Sequence, residues 1–419
     1  MPMPPLNQRP ALAVLSTLFP SAPEPVAGIF IKERMFRVAR HLPVTVISPQ
    51  PWFPLLSLVR RFRPNYRPER ARFEQMDGIE VHRPRFFALP GVGRQFDAFA
   101  IALAVRGLLG RLKREGRADI LDVHFGYPDG YAGHLLAKWL KLPYLITVRG
   151  KEERLSRQPP LRERMQRALR GAHRVISVSS SLRDVAMGLG AAPEQAIFVG
   201  NGIDLDKFYP VPRDGARRSL GIPDDAQVLV SVGGIGERKG FHRVIECLPA
   251  LVKAHPKLLL LIVGGPSPEG DWTERLRQQV DALGLQSHVR FLGPLPPDGL
   301  RVPLSASDLF VLATSYEGWA NVFLEAMACR LPVVSTLVGG NAEVVCRGDL
   351  GILVPFGEPA ALQDAIARAL SMTWDRDAIR RHAEENTWDQ RVEMLLRIFR
   401  AVDEEARAAP VSAGAAAAK

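Results

Sequence analysis

Short apolar runs recur along the 419 residues, and most are continuous rather than alternating. Continuous runs of strand length suit a parallel sheet covered on both faces. In the first half they fall at residues 11–18, 44–48, 79–82, 120–124, 144–148, 174–178 and 196–199. In the second half they fall at 228–232, 258–263, 289–291, 309–313, 333–335 and 351–354. Helical spacing fills most of the gaps, including 34–40, 131–140, 161–170, 241–254, 272–282 and 360–370. Strands alternating with helices predict an α/β protein built on open, doubly wound sheets.

The pattern breaks once. Pro210, Pro212 and Gly215 interrupt it, and residues 223–225 precede a fresh first strand. One Rossmann-like domain is therefore expected at residues 1–210 and a second at 211–387. Helical segments at 376–385 and 388–404 follow the last strand, and an Ala-rich tail at 405–419 is expected to be disordered. Open α/β sheets bind ligands outside the carboxyl ends of their strands. Two such domains are expected to face each other across a cleft.

Charge adds a question about partners. The formal charge of +11 suits nucleic acid, an anionic membrane surface or phosphorylated substrates. Residues 51–72 hold six Arg against one Glu, mixed with Trp52, Phe53, Phe62 and Tyr66. No nucleic-acid module is recognisable there, while Arg with aromatics suits a lipid headgroup layer. The bland alternative is a solvated surface loop. No apolar stretch reaches the ~18–20 residues that span a bilayer. Cys247, Cys329 and Cys346 are widely spaced and form no CxxC pair, which fits a reducing compartment. The expected location is cytoplasmic, peripheral on the inner face of the membrane.

The candidate chemistry sits at strand ends. Residues 314–336 carry Glu317 beside Gly318 in a loop, then Asn321 and Glu325 in a short apolar helix ended by Pro332. Helix N–H groups favour phosphate, and a carboxylate accepts two hydrogen bonds from a vicinal diol. Residues 233–240, GGIGERKG, follow the first strand of the second half. Gly234 permits close backbone approach, and Arg238 with Lys239 supply charge for a diphosphate. Alone, that string also reads as an ordinary strand-to-helix turn. In the first half, Gly28 closes a Pro-rich loop, and His124 and Arg149 end strands. For each, a helix cap, a buried histidine or a structural ion pair is the competing reading. Asp204 and Asp206 read as a turn and helix cap rather than a metal site; in LVGGN, Gly339 and Gly340 permit close backbone approach to a ligand, and Glu343 reads as the cap of the helix that follows.

Taken together, these strings resemble the family 4 retaining glycosyltransferases, which have the two-domain GT-B fold. The resemblance runs from about residue 12 to 399, and its most specific element is Glu317-x7-Glu325 followed by AMACRLPVV. It implies transfer of a sugar from a nucleotide-diphosphate sugar to a hydroxyl of a glycan or lipid-linked acceptor, with retention. It implies an acceptor-binding domain at 1–210, joined by the helix at 388–404, and a donor-binding domain at 211–387. Glu325 is then expected on the ribose, Glu317 near the donor-sugar hydroxyls, and Lys239 with Arg238 on the diphosphate. Gly28, Gly234, Gly318 and Asn321 are expected to line the donor, and His124 and Arg149 the acceptor. Glu317, Lys239, Arg238 and Arg149 are the expected catalytic groups. No cofactor or metal is expected beyond the nucleotide sugar itself.

Two positions depart from the family pattern. Gly234 stands where an Arg is frequent, and Arg149-Gly150 stands where His-Gly is frequent. An arginine cannot act as a general base. Epimerase or phosphorylase chemistry on the same fold, and a non-catalytic basic membrane- or nucleic-acid-binding protein, are the alternatives.

Overall fold

The computed structural model describes residues 9–408 apart from 26, 64, 65, 90, 92 and 268. The chain divides into two compact units, Met1–Gly200 with Arg391–Lys419, and Asn201–Gln390.

Among its described residues, unit 1 contains ten strands: β1 (Leu12–Leu15), β2 (Val44–Ile47), β3 (Gln50–Trp52), β4 (Phe73–Met76), β5 (Ile79–His82), β6 (Arg85–Phe87), β7 (Ile120–His124), β8 (Tyr144–Val148), β9 (Arg174–Ser177) and β10 (Ala196–Phe198). Eight form one sheet in the order β10-β9-β8-β7-β1-β2-β5-β4, and β3 pairs with β6 separately. Every neighbour in the large sheet is parallel except β4 with β5. That exception is a hairpin around Asp77 and Gly78, both at positive φ (50° and 80°). Asp-Gly is a favoured two-residue hairpin turn because both positions tolerate that backbone. The turn signal lies in the sequence, but β4 alternates exposed and half-buried residues and has no apolar run to announce it.

The last helix, Trp388–Ala408, is part of the core of unit 1. Val392, Leu395, Leu396, Phe399 and Val402 are buried with Leu12, Val14, Ile31 and Val46. Their spacing makes one stripe at helical period. Each such side chain contributes about 1.5–3 kcal/mol by leaving water. The helix continues through residues 405–408, where a disordered tail was expected, and residues 409–419 lie outside the described residues.

Unit 2 contains β11 (Gln227–Val232), β12 (Leu258–Val263), β13 (Val289–Gly293), β14 (Leu309–Leu312), β15 (Val333–Thr336) and β16 (Gly351–Val354). They form one all-parallel sheet in the order β13-β12-β11-β14-β15-β16. Strand order reverses between β11 and β14, and that switch point is where such sheets open a crevice. In unit 1 the corresponding reversal lies between β1 and β7.

Residues 51–72 are not a simple loop. Their start belongs to β3, and Leu56–Phe62 is a helix. Among the described residues, no helix is long and apolar enough to cross a membrane.

Candidate functional site

Two loops leave the carboxyl ends of the neighbouring strands β11 and β14 and meet. After β11, Glu237–Lys239 forms a single 3-10 turn before the helix Phe241–Ala254. The Lys239 Nζ donates to Glu317 Oε1 at 2.6 Å. Arg238 Nη1 lies 3.2 Å from the same oxygen and donates to the Tyr316 carbonyl at 2.9 Å. Thr314 Oγ1 donates to that carboxylate oxygen at 3.1 Å, and Arg238 Nε donates to Glu269 at 2.8 Å. Charge-assisted bonds of this kind are about twice as strong as neutral ones. Glu317 is buried, while Arg238 and Lys239 keep 32% and 18% of their side-chain surface.

The Glu317 backbone is held from the other side. Gly340 N–H donates to the Glu317 carbonyl at 3.2 Å. Gly339 has φ 49°, and a Cβ there would stand 1.8 Å from that same carbonyl oxygen. No side chain fits at that position. The loop then enters the helix Asn321–Ala328 through buried Gly318. Asn321 Oδ1 accepts from Asn201 Nδ2 at 3.0 Å. Glu325 is half-buried on the second turn, flanked by buried Leu324 and Ala326. Gly234 packs against Ser267, and Ile235 N–H bonds to the Gly265 carbonyl at 2.7 Å, so the β11 loop is braced by a third loop. Two cations beside a helix start can neutralise a diphosphate, and two carboxylates can accept from hydroxyls.

Unit 1 places a different polar cluster at its strand ends. Arg149 Nε donates to His124 Nδ1 at 3.1 Å, and His124 Nε2 lies 3.4 Å from Asp122 Oδ2. The Arg149 guanidinium stacks on the Phe30 ring at 4.9 Å. Arg34 Nη2 donates to the Val199 carbonyl at 2.9 Å. Burial pushes His124 down to about 4, against the attraction of Asp122. The imidazole is therefore neutral at pH 7, with Nδ1 free to accept from Arg149. Burial also lowers Arg34 to about 10 and Arg149 well below its usual value, and Asp122 opposes both shifts.

Behind this cluster, Asp129 ties the two strands of the switch point together. Its carboxylate accepts from Thr17 N–H at 3.1 Å and Thr17 Oγ1 at 2.9 Å. Burial raises it to about 7, with the Thr17 bonds pulling the other way. Glu152 accepts from the amides of Gly126 at 2.9 Å and Gly150 at 2.7 Å. Gly28, at φ 69°, opens the helix Ile29–Val38, and a Cβ there would stand 2.5 Å from the Leu18 carbonyl oxygen. The helix starts at Ile29, earlier than its apolar spacing indicates.

Residues 212–386 match the family described as Glycosyl transferases group 1, and residues 38–207 match Glycosyltransferase Family 4. A D-inositol 3-phosphate glycosyltransferase of Actinosynnema mirum is 32% identical over 303 residues, covering 68% of this chain and 72% of that protein. The chain is a family 4 glycosyltransferase. TuaC of Bacillus subtilis, named for teichuronic acid biosynthesis, is 28% identical over 362 residues, 84% of this chain and 87% of that protein. The structure of Anabaena HepE in complex with UDP superposes with a TM-score of 0.71 at 20% identity, covering 93% of this chain and all of that one. At that identity it shows the fold alone. The fold is GT-B, with two Rossmann-like domains.

Within this glycosyltransferase, Glu317, Lys239, Arg238, Gly318 and Asn321 come together in unit 2, with Glu325 one turn on. His124 and Arg149 come together in unit 1. His124 was expected to line the acceptor, but it is fully buried between Arg149 and Asp122. Arg149 is half-buried, with its Nη2 sealed from solvent. Glu343 lies in the first turn of Asn341–Val344, whose N-cap position is Gly340, and Asn341 Nδ2 anchors that turn to the Thr336 carbonyl at 2.8 Å. Asp204 faces Asp206 N–H at 3.1 Å and Lys207 at 3.4 Å, as a turn residue does. Thr314, Asp129 and Glu152 are the residues that sequence reasoning passed over. Their one shared signal is position, since each follows the carboxyl end of a strand.

Proposed function

We propose that this glycosyltransferase moves a sugar from a nucleotide-diphosphate sugar to a hydroxyl of a glycan or lipid-linked acceptor, with retention at the anomeric carbon. The product belongs to a surface polysaccharide or glycolipid. The observation that carries the donor half is the Glu317 carboxylate bonded by Lys239 beside Arg238 at the β11–β14 switch point. HepE, a protein of the same fold, has been solved with UDP and with UDP-glucose, which supports a nucleoside diphosphate as the donor's leaving half. Relatives named for D-inositol 3-phosphate and for teichuronic acid support a polyhydroxylated acceptor.

The donor's diphosphate lies against Lys239, Arg238 and the amides at the start of Asn321–Ala328. Gly234 and Gly318 let the backbone approach it. Glu325 accepts from the ribose diol. Glu317 holds the two cations and accepts from the donor sugar. The bond from the anomeric carbon to the β-phosphate oxygen breaks as the acceptor oxygen bonds to that carbon from the same face. The acceptor proton passes to the departing phosphate, so no enzymic nucleophile or base is needed. Catalysis is then positioning and charge stabilisation. The two cations supply the positive charge, and no metal is called on. His124, neutral and buried, positions Arg149 for the acceptor side. The basic segment at 51–72 holds the enzyme at an anionic membrane surface on the cytoplasmic face, where a lipid-linked acceptor is presented.

The test is transfer from a panel of nucleotide-diphosphate sugars, with the product's anomeric configuration read by proton NMR. The donor's configuration is expected in the product. An inverted product contradicts retention. Transfer at near-normal rates by both Glu317→Ala and Lys239→Ala contradicts the donor site.

A further inference from the structure

Among the described residues, every large apolar side chain exposed in unit 1 lies between residues 52 and 103. Leu55, Leu58 and Phe62 are 63%, 52% and 78% exposed, on and just before the helix Leu56–Phe62. Phe96, Phe99 and Leu103 are 61%, 50% and 53% exposed, on and just before the helix Asp97–Arg114. Both sets follow the spacing i, i+3, i+7, which places each on one helix face. The longer helix already buries a different face through Ile101, Val105, Leu109 and Leu112. Its outer stripe is therefore surplus to the core.

The two helices belong to one region of the surface. The shorter helix follows β3, β3 pairs with β6, and the longer helix packs on β6. Arg60 Nε donates to the Arg67 carbonyl at 2.9 Å, and Arg67 Nη1 donates to the Ala88 carbonyl at 2.8 Å, so the segment after the shorter helix is tied to the end of β6. Phe87 and Leu89, at that end, are also exposed. Residues 52–103 hold nine Arg against five Asp and Glu. Arg61 and Arg63 are exposed beside Phe62, and among the described residues neither forms an ion pair.

We propose that these two helical stripes form one membrane-docking face, seated on an anionic bilayer with the apolar side chains in the headgroup–acyl boundary and Arg61 and Arg63 on lipid phosphates. This rests on the membrane partner of residues 51–72 given above and extends it to Phe96, Phe99 and Leu103, independently of the donor chemistry. Contiguous exposed apolar surface beside cations is the character of interfacial helices. The face is cationic, so two copies of it brought together by a two-fold axis set arginine against arginine. A bilayer carrying phosphatidylglycerol supplies the opposite charge.

Full-length enzyme is spun with vesicles of phosphatidylcholine alone and of phosphatidylcholine mixed with phosphatidylglycerol. It is expected to sediment with the mixed vesicles and to release as salt rises. Phe62→Ser with Leu58→Ser, and separately Phe99→Ser with Leu103→Ser, are each expected to weaken that binding by about tenfold or more. Arg61→Glu with Arg63→Glu is expected to abolish the preference for the anionic vesicles. All these positions are solvent-exposed, and unchanged nucleotide binding in each variant reports an intact fold. Enzyme that stays in the supernatant with both vesicles overturns the proposal. So does binding indifferent to the Phe99 and Leu103 changes, or a dimer in light scattering that Phe62→Ser dissolves.

Discussion

The two units bring charged side chains to the same place in their sheets and treat them in opposite ways. In unit 2, Lys239 and Arg238 keep part of their surface in water while they grip Glu317. In unit 1, Asp122 and His124 are sealed, and burial dominates the titration of Arg34, His124 and Arg149. Half-exposed ions can exchange one partner for another at little desolvation cost, so the first cluster is built to trade protein contacts for a ligand. Sealed ions cannot, because each separation strands a charge in low dielectric. The second cluster is built to fix the ends of β7 and β8. Substitutions in unit 2 are therefore expected to strike turnover, and those in unit 1 to strike stability first.

The largest effect is expected at Asp122. Its charge is what opposes the burial of Arg34, so Asp122→Ala leaves a buried cation uncompensated and costs about 3–5 kcal/mol of stability. Denaturant melts measure this, and an unchanged midpoint would dissolve the contrast between the units. Next comes Lys239→Ala, with a loss of transfer of about 100- to 1,000-fold and a nearly unchanged melt, as expected when one preorganised charge is removed from a developing oxyanion. A melt that falls with the rate would make Lys239 structural.

The pH dependence sharpens the comparison further. His124, held at about 4, is neutral in the native state while the unfolded chain titrates near 6.5. Its contribution is present above pH 6.5 and is lost as pH falls toward 4. Asp129 has the opposite sign. Its native carboxyl, raised to about 7, keeps a proton that the unfolded chain gives up near 3.8, so its contribution is present below that value and is lost as pH rises through 7. Between pH 4 and 6.5 the two slopes oppose each other. Asp129→Asn removes one of them, and stability of the variant relative to wild type should then climb with pH, by up to ~1.4 kcal/mol per unit. A pH-independent difference would show that Asp129 does not hold its proton. The smallest effect is expected at half-exposed Glu325: Glu325→Gln should raise the donor KM about tenfold with kcat little changed, reflecting one weakened diol contact.

The parallel strands were legible because burial on both faces demands continuous apolar sequence, and Ile120–His124, Tyr144–Val148 and Leu258–Val263 appear in the structure as read. β4 and the helix Leu56–Phe62 were not, because both lie at the surface, where no core imposes a period. Glu317 and Lys239 were each legible as strand-end residues. Their bond was not, because it joins positions 78 residues apart and exists only once β11 and β14 become neighbours. The fate of His124 was hidden for a related reason. A histidine ending an apolar strand looks the same in sequence whether it faces a ligand or an arginine from the next strand. Gly339 was read as free to approach a ligand, whereas the group it approaches is the Glu317 backbone.

The central claim is that Lys239, Arg238 and Glu317 form the seat of a nucleotide-diphosphate sugar. Isothermal titration of the wild-type enzyme with nucleoside diphosphates and their sugar esters tests it most directly, with Lys239→Ala as the control. Saturable binding of at least one diphosphate, weakened at least tenfold by Lys239→Ala, is the expected result, since one charge-assisted contact contributes about 1.5–3 kcal/mol. Binding that Lys239→Ala leaves untouched, or no binding of any nucleoside diphosphate, would contradict it.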